Sequence, residues 1–184
     1  MSAKSTFFPF PLIALLALFA FALGGCGSDE TELHVPEGEP VEIGGVSYNV
    51  VTTRYLNPDS VDDRTYLKGH DDWPAADKLY LGVFLQVHNN SGETITVPSD
   101  LTVVDTRDRR FKPIALDNDF ALDFSEEVTP GHRLPAVDSA PYYGPIEGSL
   151  VLFEIGTESV DSRPLTLQIP ARQGDGMAEI ELDI

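Results

Sequence analysis

The chain has 184 residues and a formal net charge of −18, with 12 Lys plus Arg against 30 Asp plus Glu. So large an acidic excess argues against nucleic acid or an anionic membrane face as a partner, because both are bound through clustered cations. One cysteine excludes an internal disulfide, so stability must come from an apolar core.

Residues 1–25 have the layout of an export signal: Lys4, the apolar run Phe7 to Leu23, then Gly24 and Gly25 before Cys26. The run carries Pro9 and Pro11 and is short for a spanning helix, which needs about 20 residues. Leu23-Gly24-Gly25-Cys26 resembles the lipobox of bacterial lipoproteins. The resemblance implies that the Cys26 thiol takes a diacylglyceryl group and becomes the new N-terminus, which makes Cys26 the expected lipidation site. Two or three acyl chains would anchor the protein stably to the extracytoplasmic face of the cell membrane. The 159 residues left after the signal suffice for one domain.

From Gly27 to Pro40, small, acidic and proline residues follow one another without periodicity, so residues 26–40 read as the acylated cysteine and a flexible tether. The domain proper is then 41–184. Val41 to Ile43 and Val46 to Tyr55 are candidate strands, broken at Gly44-Gly45 where a hairpin turn or bulge would sit. The alternation in the second strand is imperfect, as if both faces were covered. Asn57 to Lys78 has no sustained period and reads as a long loop, or a short helix within one.

Leu79, Leu81, Val83, Leu85 and Val87 recur every second residue, the period of a strand with one buried face. Asn89-Asn90-Ser91-Gly92 tolerates left-handed backbone angles, so a hairpin returning through Thr94, Ile95, Thr96 and Val97 is expected. Leu101 to Val104 is a further strand, and a charged turn leads into Phe111 to Ile114. Ala115 to Gly148 is irregular and rich in proline. Ser149 to Ile155 reads as a central strand, and Pro164 to Ile169 and Ala178 to Ile184 alternate as half-buried ones. Seven or eight short strands separated by turn signals indicate an all-β, immunoglobulin-like antiparallel sandwich.

The run Tyr80 to Asn90, then Leu101 to Asp105, Phe111 before Pro113, and Gly148 to Ile155 resemble a bacterial family of telokin-like extracellular immunoglobulin-like domains of unknown function, carried on lipoproteins. The resemblance covers about residues 41–170. The family usually has a glycine in the turn after the Leu101 to Asp105 strand, where this chain has Thr-Arg-Asp-Arg-Arg, and the Tyr142-Tyr143 stretch also departs from it. It brings no site residues with it.

The motifs of a hydrolase elbow, a phosphate-binding glycine loop and a His-Glu-x-x-His zinc site are all missing. No cofactor is implied and no enzyme is expected. His34, His70, His88 and His132 are far apart in sequence. Asp59, Asp62 and Asp63, and Asp117, Asp119 and Asp123 with Glu126 and Glu127, are candidate calcium ligands because hard cations want clustered oxygens. Neither group fits an EF-hand: counting from Asp117, Leu122 takes its glycine position and Val128 its bidentate glutamate. Trp73 and the pair Tyr142-Tyr143 are the candidate binding aromatics, since rings on loops of rigid scaffolds anchor partners. Arg107, Arg109 and Arg110 read as a solvated basic turn. The expected role is a lipid-anchored, non-catalytic interaction or cell-envelope domain with an unidentified protein or small-molecule partner. The alternative is a ligand- or ion-binding lipoprotein that uses loops 57–78 and 115–147.

Overall fold

The computed structural model describes residues 32–70 and 72–184; the expected signal peptide and Cys26 lie outside them. In chain order the elements are β1 (Glu32–Pro36), β2 (Val41–Ile43), β3 (Val46–Leu56), α1 (Val61–Tyr66), β4 (Lys78–Asn89), β5 (Thr102–Val104), β6 (Arg110–Phe111), β7 (Pro113–Ile114), β8 (Arg133–Leu134), α2 (Ala140–Tyr143), β9 (Ser149–Gly156), β10 (Leu165–Pro170) and β11 (Met177–Leu182). They form an all-β sandwich. One sheet runs β1-β11-β10-β5-β6; the other runs β2-β3-β4-β9-β7, with β8 added beside β4. Every pair is antiparallel except β1 with β11. Among the described residues no helix is long and apolar enough to cross a membrane.

The core between the sheets follows from alternation. Leu81, Val83, Leu85 and Val87 of β4 meet Leu165, Leu167 and Ile169 of β10 and Ala178, Ile180 and Leu182 of β11 in one buried cluster. Gly44 and Gly45, with φ of 59° and 75°, make the tight turn between β2 and β3. The imperfect alternation of β3 has a cause: the register with β4 slips between Val50 and Thr52. A bulge there changes parity, so Tyr48 and Val50 face the core before it, and Thr53 and Tyr55 turn inward after it.

Three expectations need correction. The stretch 32–36, read as tether, is an edge strand in which Leu33 and Val35 pack against the core. Its two apolar residues are too few to stand out among the neighbouring acids. Glu37 fastens this end by accepting from the Thr53 N–H at 2.9 Å and the Asp183 N–H at 3.1 Å. The hairpin expected at Asn89 to Val97 is also absent. After the turn the chain leaves β4, Ile95 bridges Val128, and β5 joins the opposite sheet beside β10.

The basic turn is likewise not simply solvated. Asp105, buried at the end of β5, accepts from the N–H groups of Arg107 and Arg109 at 2.9 and 3.1 Å, from Arg109 Nε at 2.6 Å and from Ser159 Oγ at 3.0 Å. Arg109 also reaches Glu158 at 2.7 Å and Ser162 Oγ at 3.0 Å. The network ties the β5–β6 turn of one sheet to the segment after β9 of the other. Burial would push the Asp105 carboxyl up, but the hydrogen bonds from Arg109, Arg107 and Ser159 outweigh it and hold the carboxyl below its ordinary range.

Asp105→Ala should lower the unfolding free energy at neutral pH by about 3–5 kcal/mol, the usual cost of stripping one partner from a buried ion pair. Because the folded-state value is depressed, the stabilisation is complete above the ordinary carboxylate range and is lost as pH falls through the folded value. Urea melts of wild type and variant should converge on acidification. A gap that stays constant down to about pH 2 would contradict the network.

Candidate functional site

The outer face of the β3–β4 sheet is divided in two. Its first half is covered by the irregular segments. Tyr66 of α1 packs edge-on against Phe84 and Phe120, with centroids 5.1 Å away in each case. Leu56, Leu67, Tyr80, Leu150 and Leu152 complete this second cluster. Gly82 gives it room: a Cβ there would lie 2.9 Å from Leu56 Cδ1 and 3.0 Å from Leu150 Cδ1. The helix α1 is pinned by Asp63, a buried carboxylate that accepts from the Asn57 N–H at 2.9 Å and from the Arg54 guanidinium. The side chain of Asn118 then donates to the carbonyls of Tyr66 at 2.9 Å and Lys68 at 2.8 Å, so loops 57–78 and 115–147 are stitched to each other over the sheet.

The second half is open. Where the cover ends, β3 presents Ser47 and Asn49 and β4 presents His88 and Gln86, paired Ser47 with His88 and Asn49 with Gln86. With Arg133, Glu147, Pro40 and Pro135 they line a cleft of about 300 Å³. Gln86 Nε2 donates to the Glu147 carbonyl at 2.7 Å, and Asn49 Nδ2 donates to Gln86 Oε1 at 3.3 Å. Asn49 Oδ1 is buried without a partner. At the rim, the Arg133 guanidinium sits 4.6 Å from the centroid of the Tyr142 ring and 3.4 Å from Glu147 Oε1.

Tyr142 is half-buried beneath Arg133, outside the cleft lining, and stacks edge-on with Tyr143 at 5.0 Å, while Tyr143 is 70% exposed and donates to the Asp138 carboxylate at 3.1 Å. Trp73 is 62% exposed in the loop after α1 and lines neither this cleft nor the one below. Asp117 and Asp123 line a separate cleft of about 520 Å³ beneath residues 114–125, with Asn118 and Leu150. Ser125 donates twice to the exposed Asp123 carboxylate, which lowers its pKa. Asp119 is exposed, and Asp63 is committed to Arg54. Among the described residues no three His, Cys, Asp or Glu side chains converge as metal ligands.

The histidines are scattered. His34 lies 3.6 Å from both Glu179 and Glu181 on the outer face of the other sheet. His70 Nε2 is 2.9 Å from Tyr80 Oη, which donates to the Asp72 carbonyl, so the imidazole is the donor in that pair. His132 contacts Thr129 Oγ1 at 2.8 Å within an exposed turn. Ser47, Asn49, Gln86, His88, Arg133 and Glu147 were not singled out as a site from sequence. The signal was the polar ending of the outward face of β4, Gln86 and His88, after Tyr80 and Phe84.

Two antiparallel-dominated sheets around one core, with short helices only on the outside, define a β-sandwich protein. No family model and no curated protein matches the sequence. The chain is similar to ycdA of Bacillus subtilis strain 168, described as a candidate lipoprotein, with a TM-score of 0.51 and 15% identity over 80% of this chain. It spans 39% of that protein's length. It is also similar to an uncharacterized β-sandwich protein of Clostridium difficile 630, with a TM-score of 0.48 and 9% identity over 84% of this chain and 97% of that one. A functionally unknown protein of Listeria monocytogenes EGD-e gives 0.45 and 10% over 73% and 70%.

The division of the outer face predicts unequal consequences along a single strand. Phe84→Ala, beneath the cover, should cost about 3–5 kcal/mol in chemical denaturation. His88→Ala, four residues on and on the same face, should stay within about 0.5 kcal/mol. Equal costs at the two positions would show that the second half is covered too.

Proposed function

We propose that the chain is a non-catalytic binding domain of the immunoglobulin-like, telokin-like type, held on the extracytoplasmic face of a membrane by lipid on Cys26, and that it meets its partner through the open half of the β3–β4 outer face. The observation that carries this reading is the division of that face. Cover residues seal one half with aromatic packing, while the other half keeps hydrogen-bonding side chains facing a cleft. These side chains form neither a metal set nor a nucleophile hydrogen-bonded to a base, which suits recognition better than bond-breaking chemistry. The lipobox-like Leu-Gly-Gly-Cys supports the anchor, as does the fold shared with ycdA, itself described as a candidate lipoprotein.

The two parts of the reading are separately testable. Cys26→Ser should move the protein from the membrane to the soluble fraction of cells, and continued membrane retention would remove the anchor. For the face, p-benzoylphenylalanine is placed at His88, or at Thr166 on the outer face of the opposite sheet, and photolysed in cells. Adducts from position 88 and not from 166 are expected. Their absence at 88, or their appearance only at 166, would overturn the assignment.

A further inference from the structure

Resting on the open face as a binding surface, we infer that the cleft between β3, β4 and β8 takes an uncharged saccharide. The polarity of its floor is fixed. A backbone carbonyl can only accept, so the Glu147 carbonyl orients Gln86 with Nε2 toward it. Gln86 Oε1 must then face Asn49, and Asn49 must present Nδ2. The relay therefore has one direction, and it ends on Asn49 Oδ1, a buried oxygen with no donor. An acceptor left unpaired in this way is costly. A ligand O–H or N–H, met by a turn of the Asn49 side chain toward the cleft, removes that cost.

Further observations select the class of ligand. Arg133 and Glu147 are opposite charges 3.4 Å apart, and the rest of the floor is hydroxyl, carboxamide and imidazole, so the cleft offers no net charge for an ion to pair with. The chain's net charge of −18 repels acidic polymers. The backbone groups of β3 and β4 are engaged by their neighbours β2, β8 and β9 and by each other, so a peptide cannot add as a strand here and recognition falls to side chains. Sugar hydroxyls both donate and accept, which matches Ser47, Asn49 and Gln86. The rings of Pro40 and Pro135 offer apolar surface to the C–H faces of a pyranose. A volume of about 300 Å³ is at the small end for ligand pockets and suits one or two rings of a longer chain.

The test is an NMR titration of the full-length protein, in a detergent without a sugar headgroup, with chitotriose and cellotriose as neutral probes and trigalacturonate as an acidic one. At least one neutral probe should give saturable shifts confined to the backbone amides of Ser47, Asn49, Gln86, His88 and Arg133. Gln86→Leu should weaken that binding by roughly tenfold or more, about one hydrogen-bonded group's worth. Arg133→Ala, at the exposed rim, repeats the comparison if Gln86→Leu lowers the melting temperature. No saturable shift with either neutral probe, tighter binding of trigalacturonate, or variants that bind as wild type would overturn the inference. If these fail while position 88 still forms adducts in cells, the ligand class is wrong and the binding face stands; if both fail, the face falls as well.

Discussion

One buried carboxamide holds the arrangement together. Asn89 is fully buried at the end of β4, and each of its polar groups is used. Its N–H donates to the His132 carbonyl at 2.9 Å, and its carbonyl accepts from Gly131 at 2.8 Å. Nδ2 donates to the carbonyls of Glu93 and Val128, at 2.7 and 2.8 Å. Oδ1 accepts from the N–H and Oγ of Ser91, at 2.9 and 2.6 Å. A buried amide must find partners or destabilise the fold. Here the partners are the next turn and the segment from Val128 to His132, so the chain is turned off β4 and the later segment is drawn alongside it.

The cleft is a consequence of that choice. A hairpin after Asn89 would have placed a returning strand beside the end of β4. Instead β8 pairs with Val87 and His88 for two residues only, and Arg133 and Pro135 rise beside the floor as a wall. The bulge in β3 completes the division. Ser47 and Asn49 face outward before it, and the parity change turns Arg54 and Leu56 outward after it, where they hold α1 and its aromatic cover. A single strand thus supplies polar floor at one end and anchorage at the other.

The strands with a steady period of two were legible in the sequence: β4, β9, β10 and β11 lie where alternation or a continuous apolar run placed them, and Gly44-Gly45 is the turn expected. The all-β sandwich followed. The Asn89 crossover was not legible, because Asn-Asn-Ser-Gly followed by Ile95 and Val97 reads equally as a hairpin; only the burial of the Asn89 amide separates the two. Arg109 was missed for a similar reason. A turn arginine looks solvated until the strand end that precedes it, Asp105, is known to be buried. Of the aromatic candidates, Tyr142 packs against Arg133 of the cleft wall without lining the cleft itself, whereas Trp73 stands exposed elsewhere. The floor itself is made of Ser, Asn and Gln on strands, residue types that carry no motif and gain meaning only when the register sets them side by side.

On this reading the open half of the β3–β4 face is occupied where the protein works. Cysteine accessibility tests it most directly, since the native chain has only Cys26. Ser47→Cys on the cleft floor and Thr166→Cys on the opposite sheet are each labelled with a maleimide in intact cells and after purification, against the parent chain. The account predicts that position 47 reacts several-fold more slowly in cells than when purified, while position 166 reacts alike in both. Equal protection factors at the two positions would contradict it.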